Sequence, residues 1–227
     1  MPQSTNFVRV PKNRIGVIIG PKGSTKRELE KSLQCKLDVD SDTGEVFITP
    51  NEDLNDPVLV IKSAEVIKGI GRGFTPQQAQ KLLHNDFYLE IIQIRQLVGT
   101  SPNAIRRLRS RLIGTNGKTR KTIEEYTKIS MVILGNTISL IGLYTSLVDA
   151  KEAINRLAKG ANHSSVYTWL EERRKERLRT EDDPTWDSSA LDTISIEEMD
   201  DIMRKEKLKE DLDLEEEFDK LIEEEKT

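Results

Sequence analysis

The sequence predicts an α+β protein built from two tandem copies of a βααββα unit, followed by a basic helix and an acidic, helical tail. Shifting the chain by 94 residues aligns Ile19-Gly20 with Ile113-Gly114 and Gly23 with Gly117, and the register continues to Glu30 and Glu124. Alternating apolar residues follow in both copies, as is typical of a strand with one buried face. The predicted divisions are the first unit (1–73), a helical linker (74–87), the second unit (88–160), the basic helix (161–180) and the tail (181–227).

The first copy contains signals for every element of the unit. Pro11 ends the first strand, Ser24 is expected to cap the second helix, and the segment 41–44 has turn chemistry between two strands. The apolar face of the last helix is predicted to carry Val60, Ile61, Ala64 and Ile67. The predicted elements are strand Phe7–Val10, helix Arg14–Ile19, helix Ser24–Leu33, strands Lys36–Asp40 and Glu45–Thr49, and helix Pro57–Ile67.

The second copy begins with a segment rich in β-branched residues, Leu89–Leu97, which predicts a strand. Ser101-Pro102 then starts a helix that ends at Gly114, because proline is favoured at the first helical position. Gly135-Asn136 predicts a tight hairpin between strands Ile129–Leu134 and Thr137–Ile141. A helix over Tyr144–Lys159 closes the unit. Thr75-Pro76 starts a short linker helix that carries Leu82 and Leu83 and is expected to pack against both units.

Charge is divided unevenly along the chain. Residues 1–180 hold 29 Lys and Arg against 19 Asp and Glu, a net charge of +10, whereas residues 181–227 hold 6 against 20, a net charge of −14. The first part can attract phosphate and the tail cannot.

Each copy carries a Gly-X-X-Gly loop between two helices. Glycine allows a tight turn and a close approach of another backbone, and the next helix directs its free N–H groups and positive dipole end at that point. Basic residues surround both loops and predict contacts with RNA phosphates, while nearby apolar residues would form a groove for unstacked bases. Ile15, Ile18 and Ile19 are assigned mainly to the core. The predicted RNA-binding residues are Gly20, Pro21, Lys22, Gly23, Lys26, Arg27, Arg107, Arg111, Gly114, Thr115, Asn116, Gly117, Lys118, Arg120 and Lys121.

The segment Val10-Pro11-Lys12-Asn13-Arg14-Ile15-Gly16-Val17-Ile18-Ile19-Gly20-Pro21-Lys22-Gly23 resembles the signature of the type I KH domain. The second copy keeps the loop but lacks the Val-Pro start, and its first helix carries Arg106, Arg107, Arg109 and Arg111. These arginines are expected to contact phosphate, a duplex or a protein partner. The resemblance implies two KH domains that bind single-stranded RNA.

Other chemistries find little support. Gly114–Thr119 is similar to the end of a phosphate-binding P-loop, but Leu112 stands where that motif needs glycine, and the loop joins two helices. His84 and His163 have no evident carboxylate partner, and Cys35 is assigned to the core. We predict no catalysis, no cofactor and no metal. With no apolar run long enough for a membrane span and a single cysteine, we predict a cytoplasmic protein. We also expect it to be a monomer.

Together with Ile70–Phe74 and Gly117–Lys121, the paired motifs resemble the archaeal two-KH ribosome-biogenesis protein, counterpart of the eukaryotic "Partner of Nob" pre-rRNA processing factor. The resemblance covers about residues 5–179. It implies binding near the 3′ end of small-subunit rRNA during maturation. It also implies contact with the PIN-domain endonuclease that trims this end and with the alpha subunit of translation initiation factor two.

Two alternative functions stay open at this point: a protein-interaction adaptor built on KH folds, and an accessory RNA-binding subunit of an RNA-degradation complex. The tail also has three interpretations. It could be a solubilising appendage, a docking segment that uses Ile202, Met203, Phe218 and Leu221, or an acidic mask over the basic body.

Overall fold

The structure, a computed structural model, describes residues 6–51 and 57–181. The expectations for the tail concern residues 182–227 and lie outside this range. The described residues up to Glu176 form one compact unit, which contains both repeats. The first repeat consists of β1 (Asn6–Arg9), α1 (Lys12–Ile19), α2 (Ser24–Leu33), β2 (Cys35–Val39), β3 (Glu45–Pro50) and α3 (Pro57–Gly71).

The remaining elements follow the predicted order, with one additional short helix, α5, in the second repeat. The linker contains α4 (Pro76–Ala79) and a 3₁₀ turn (Gln80–Leu83). The second repeat and the helix after it consist of β4 (Phe87–Gln93), α5 (Ile94–Val98), α6 (Pro102–Ile113), α7 (Lys118–Thr127), β5 (Ser130–Leu134), β6 (Thr137–Leu143), α8 (Tyr144–Ala158) and α9 (His163–Glu181). The predicted α+β class with two βααββα units is confirmed.

Both repeats have the same antiparallel sheet. The strand orders are β1-β3-β2 and β4-β6-β5, so that the last strand of each unit lies in the centre. Equivalent residues pair in equivalent ways, with Leu37 opposite Ile48 and Met131 opposite Leu140. Strands β2 and β5 are therefore edge strands, each on the side of the helix that follows the glycine loop.

The first strand of the second repeat is shorter than predicted. The expected strand over Leu89–Leu97 ends at Gln93, where the chain turns into α5. Ile94 is fully buried, and Leu97 and Val98 pack against the same core cluster. Their spacing of three and four residues suits a helical face, so burial of this face favours a helical turn over continuation of the strand.

The buried face of α3 also differs from the prediction. Ile61 is 62% exposed, whereas Ser63, Val66, Ile67 and Ile70 are fully buried. These four residues recur at spacings of three and four, as the inward face of a helix requires. The predicted face was therefore rotated: of the residues assigned to it, only Ile67 is fully buried, and Ile61 faces outward.

The linker joins the two repeats through a shared core. Phe74, Leu82 and Ile141 are buried in one cluster with the core of the first repeat, so the outer face of the second sheet is covered by the linker. Gly73 lies so close to this sheet that a Cβ there would stand 2.7 Å from Val132 Cγ1. The expected packing of the linker against both units is confirmed.

The helix α9 lies where the basic helix was predicted and is anchored to α8. Arg173 donates to Asp149, with Nε 3.1 Å from Oδ1, and Asp149 is only 3% exposed. The hydrogen bond to Asp149 raises the pKa of Arg173 above its usual value. Arg156 of α8 also lies over the Trp169 ring, with Cζ 4.3 Å from the centroid. These contacts hold α9 beside the second repeat.

Candidate nucleic-acid interface

The two glycine loops adopt the same backbone conformation. Gly20 has φ and ψ of 68° and 178°, and Gly114 has 70° and 176°. The third loop residues, Lys22 and Asn116, are left-handed with φ of 51° and 53°. Since only glycine adopts the first of these conformations readily, the local geometry follows from the repeated sequence.

The two glycines of each loop do different things. A Cβ on Gly20 would stand 2.1 Å from Thr25 Oγ1, and one on Gly114 would stand 2.3 Å from Thr119 Oγ1. The first glycine therefore packs closely against the helix that follows. By contrast, no heavy atom lies within 4 Å of a Cβ position on the second glycine of either loop. That side is open, and another backbone can approach it.

The helices after the loops begin without a side-chain cap. Ser24 was predicted to cap α2, but it is the first helical residue, and Gly23 occupies the capping position. Gly117 has the same place before α7. The left-handed glycine sets the start of the helix in place of a serine. The first N–H groups of both helices are left without a capping side chain, which suits binding of an anion.

Around the first loop, the predicted cations have different surroundings. Pro21 and Lys22 are exposed at the tip of the loop, and Lys26 is half-buried with Nζ 3.9 Å from Glu30. Arg27 turns back onto the loop, where Nη2 donates to Lys22 O at 2.6 Å and Nε to Gly23 O at 3.3 Å. Arg27 thus stabilises the loop and has fewer donors left for phosphate.

Around the second loop, most of the predicted residues are available. Thr115, Asn116, Lys118 and Lys121 are exposed, and so is Arg107 on the preceding helix. Three other arginines near this loop donate to backbone carbonyls: Arg109 to Gly135, Arg111 to Ala161 and Arg120 to Met131. Some arginines of α6 are therefore exposed cations and others are structural donors. The sequence alone could not distinguish these two groups.

The predicted base-binding groove of each repeat would lie between the helix after the loop and the edge strand. Glu30 accepts from Leu37 N at 2.9 Å, and Glu124 accepts from Met131 N at 2.8 Å. The two equivalent carboxylates therefore hold the second helix of each repeat to its edge strand. Sequence reasoning did not assign them this role, although their place in the repeat register could have suggested it.

Apolar side chains also reach the groove side of the loops. Ile15 and Ile18 are buried as predicted, whereas Ile19 is only partly buried, and its counterpart Ile113 is 38% exposed. Both stand directly before the first glycine of the loop. An exposed isoleucine beside an open backbone offers a surface on which an unstacked base can pack.

The described residues contain no group of three or more His, Cys, Asp and Glu side chains that could hold a metal ion. Among the same residues, no helix is long and apolar enough to cross a membrane. The site consists of two backbone loops, exposed cations and grooves with apolar and backbone groups. This combination is typical of a module that binds single-stranded nucleic acid.

Comparison with known proteins assigns this class. Residues 5–64 match the KH domain model, and residues 88–175 match the eukaryotic-type KH domain model of type I. A KH domain-containing protein of Methanocaldococcus jannaschii is 40% identical over 177 residues, which cover 78% of this chain and 77% of the relative. The protein is therefore a tandem KH protein.

Solved structures narrow the class to one family. Dim2p from Pyrococcus horikoshii is 43% identical with a TM-score of 0.70, over 74% of this chain and 99% of that one. A chain in the a/eIF2alpha–aDim2p–rRNA complex of the same organism is 43% identical with a TM-score of 0.72, over 76% and 95%. A protein of unknown function from Aeropyrum pernix is 36% identical with a TM-score of 0.75, over 80% and 96%.

The chain belongs to the family of archaeal two-KH ribosome-biogenesis proteins that includes Dim2p, the counterpart of the eukaryotic Partner of Nob. Members of this family are RNA-binding KH proteins. The resemblance inferred from the paired loops is confirmed.

Proposed function

We propose that this protein is a non-catalytic assembly factor that binds single-stranded RNA near the 3′ end of small-subunit rRNA and assists its maturation. The observation that carries the proposal is the second loop, where an open Gly117 and an uncapped helix are surrounded by exposed Arg107, Lys118 and Lys121. The crystal structure of an a/eIF2alpha–aDim2p–rRNA complex from Pyrococcus horikoshii, which includes a similar chain, supports an rRNA ligand.

The geometry suggests how the strand is held. Backbone phosphates lie over the loop, where N–H groups at the start of α7 and nearby cations compensate their charge. Bases then enter the groove between α7 and β5, beside the exposed Ile113. The first loop binds in the same way with less charge, because Arg27 is engaged with the loop carbonyls. The second loop therefore supplies more of the anchoring.

Two protein partners belong to the same proposal. The alpha subunit of initiation factor two is supported by the complex that contains the similar archaeal chain. The PIN-domain endonuclease that trims the 3′ end rests on the family resemblance, and so does the monomeric state. In this proposal the protein binds and presents the RNA, while the endonuclease cleaves it.

The first test measures binding of a fluorescent RNA with the 3′-terminal sequence of the host's small-subunit rRNA. Thr115→Asp/Asn116→Asp should weaken binding by about 100-fold, because like charges placed against phosphates cost several kcal/mol. Pro21→Asp/Lys22→Asp should weaken it by about tenfold. Aspartate tolerates the left-handed conformation of Lys22 and Asn116, so the fold should be preserved.

The control is circular dichroism and thermal unfolding of both variants, which should match those of the wild type. Crosslinking in cells then identifies the bound RNA. Recovery of the 3′ region of small-subunit rRNA is expected. Binding that survives both double substitutions, or crosslinks spread over messenger fragments, would contradict the proposal and favour an adaptor or an RNA-degradation subunit.

A further inference from the structure

A cleft of about 670 Å³ lies beside the second loop, on the side toward α9. Its size falls within the range of roughly 300–1,000 Å³ that is usual for ligand sites. The first turns of α7 and α9, the loop and the last turns of α6 form its walls. It is lined by Arg107, Ser110, Arg111, Gly114, Thr115, Lys118, Thr119, His163 and Tyr167. We call this feature the α9 cleft.

Helix α9 runs alongside α7 in the same direction. Tyr167 Oη donates to Thr119 Oγ1 at 2.9 Å, and Arg174 Cζ stands 6.0 Å from the Tyr126 ring. Arg174 lies seven residues after Tyr167 on α9, and Tyr126 lies seven residues after Thr119 on α7. The contacts thus advance in the same direction along both helices, so the two helices are parallel. Their N-terminal ends consequently meet at the cleft, where their dipoles favour negative charge.

The charged lining of the cleft is entirely basic. Arg107, Arg111 and Lys118 are lining residues, and no carboxylate is among the lining residues that the structure describes. Arg111 is held in place through Nη2, which donates to Ala161 O. Its Nε is buried and has no hydrogen-bond partner within the described structure.

His163 prepares the same wall of the cleft. Its Nε2 lies 3.0 Å from Arg111 O, and because a carbonyl oxygen can only accept, Nε2 carries the hydrogen. This bond engages one of the carbonyls at the end of α6, which would otherwise present negative charge to the cleft. The first residue of α9 thus makes the cleft more favourable for an anion.

The first repeat shows that these cations are not needed for the loop itself. In the 94-residue register, Arg107, Arg111 and Lys118 correspond to Asn13, Val17 and Ser24, none of which is charged. The two loops nevertheless agree to within a few degrees in φ and ψ. Because the first loop folds without cations at these positions, the exposed Arg107 and Lys118 point to a ligand, whereas Arg111 also has the structural role of holding Ala161 O.

We propose that the α9 cleft binds phosphates of the single-stranded RNA next to the nucleotides held by the second loop, so that the second repeat grips a longer strand than a KH groove alone. This inference rests on the proposed RNA-binding function and adds a subsite to it. The cleft is continuous with the loop, since Gly114 and Thr115 line both. A strand leaving the loop on this side would pass directly over the two helix N-termini.

The test compares RNAs of increasing length. A four-nucleotide RNA from the 3′ end of small-subunit rRNA is extended by two and four nucleotides, first at its 5′ end and then at its 3′ end. Extension on one side only should raise the affinity of the wild type by about tenfold or more. The slope of log K against the logarithm of the salt concentration should also become steeper by about 1.4 for the two-nucleotide extension, as expected for two further phosphates on a single strand.

The variant Arg107→Gln/Lys118→Gln removes two cations of the cleft, and Arg95→Gln/Lys159→Gln removes two exposed cations outside it. We expect the first variant to lose the gain in affinity on extension and the added salt dependence. The control variant should keep both. Equal behaviour of the two variants, or equal gains from extension at either end, would overturn the proposal.

A second measurement does not depend on substitutions. A single 4-thiouridine is placed at successive positions of the extended RNA, and crosslinked peptides are identified by mass spectrometry. Crosslinks to Tyr167 or His163 should appear only from the nucleotides that confer the extra affinity. The absence of these crosslinks at every position would contradict the cleft proposal. If Thr115→Asp/Asn116→Asp did not lower the affinity for any of these RNAs, the proposed function itself would be contradicted.

Discussion

The two repeats have nearly identical loops in very different surroundings. In both, a Gly-only conformation, a left-handed third residue and a threonine packed against the first glycine produce the same turn. Outside the turn they diverge. Around the first loop, Arg27 is engaged internally, and around the second, exposed cations and α9 form an additional basic cleft.

This difference shows that backbone geometry and binding strength are set by separate residues. The glycines and the threonine fix how closely a phosphate can approach, whereas the charge that stabilises the phosphate comes from neighbours that the turn does not require. A duplicated unit can therefore keep its fold while one copy gains charge. The following experiments test how far the two copies are equivalent.

The largest expected effect concerns the first glycine of each loop. Gly114→Ala should lower the free energy of unfolding by about 3 kcal/mol, since alanine at this positive φ is strained and its Cβ would meet Thr119. Thr119 is 3% exposed and bonded to Tyr167, so it cannot move away. Gly20→Ala should cost about 2 kcal/mol, because Thr25 is less buried. Urea unfolding measures the change in the free energy of unfolding for both variants.

Gly16→Ala is the matched control for these variants. Gly16 lies within α1, and no heavy atom stands within 4 Å of its Cβ position. Alanine there should stabilise the protein by roughly 0.5–1 kcal/mol. If Gly114→Ala were as well tolerated as Gly16→Ala, close packing of glycine and threonine would not determine the loop.

A smaller effect is expected for the arginines that hold the chain after each repeat. Arg14 donates to Ile70 O at 3.0 Å and to Phe74 O at 2.8 Å, while Arg111 donates to Ala161 O. Arg14→Met should lower stability by about 2 kcal/mol, because two carbonyls lose a charged donor. Arg111→Met should cost about 1 kcal/mol.

Hydrogen exchange separates the two arginine variants. Arg14→Met should speed exchange in the linker (72–83), and Arg111→Met should do so at the start of α9 (161–170). The exposed Arg106 provides a control, since Arg106→Met should leave both segments as in the wild type. Faster exchange of the same segment in both variants would show that the two arginines do not have separate roles.

The sequence predicted most of the fold because the signals repeat. The glycine pairs, the apolar faces of the helices and the alternation in the strands all recur at the same spacing of 94 residues. The order of the main elements, the sheets and the loops could therefore be predicted. The strand end at Gln93 and the face of α3 could not, because they depend on which apolar residues meet the core of the other layers. Three-dimensional packing overrode local β propensity at Ile94.

The candidate site was predicted in position but not in detail. All the loop residues lie at the two turns, yet Arg27 donates to carbonyls of its own loop and Arg120 donates to Met131 O in the edge strand, and the residue types alone did not show either bond. The α9 cleft could not be predicted from the sequence either. His163 and Tyr167 are 46 and 50 residues from Gly117, and nothing in their local pattern shows that α9 lies alongside α7.

The smallest expected effect distinguishes the two hairpin turns. The turn of the first repeat depends on Asp40, whose Oδ1 accepts from Asp42 N at 2.8 Å and Thr43 N at 3.2 Å. The turn of the second repeat has no such carboxylate: Gly135 has a φ of 58°, and Thr137 Oγ1 donates to Leu134 O at 2.9 Å. Acid should therefore weaken only the first turn.

Hydrogen bonds from Thr43 and Asp42 lower the pKa of Asp40 below its ordinary value of 3.8. A lowered folded-state pKa means that the carboxylate stabilises the turn above pH 3.8 and that this contribution is lost as the pH falls below it. Asp40→Asn should remove this part of the acid sensitivity. NMR titration of the turn amides should show a transition below pH 3.8 at Thr43 but none at Asn136, and a transition at Thr43 that persists in Asp40→Asn would assign it to another group.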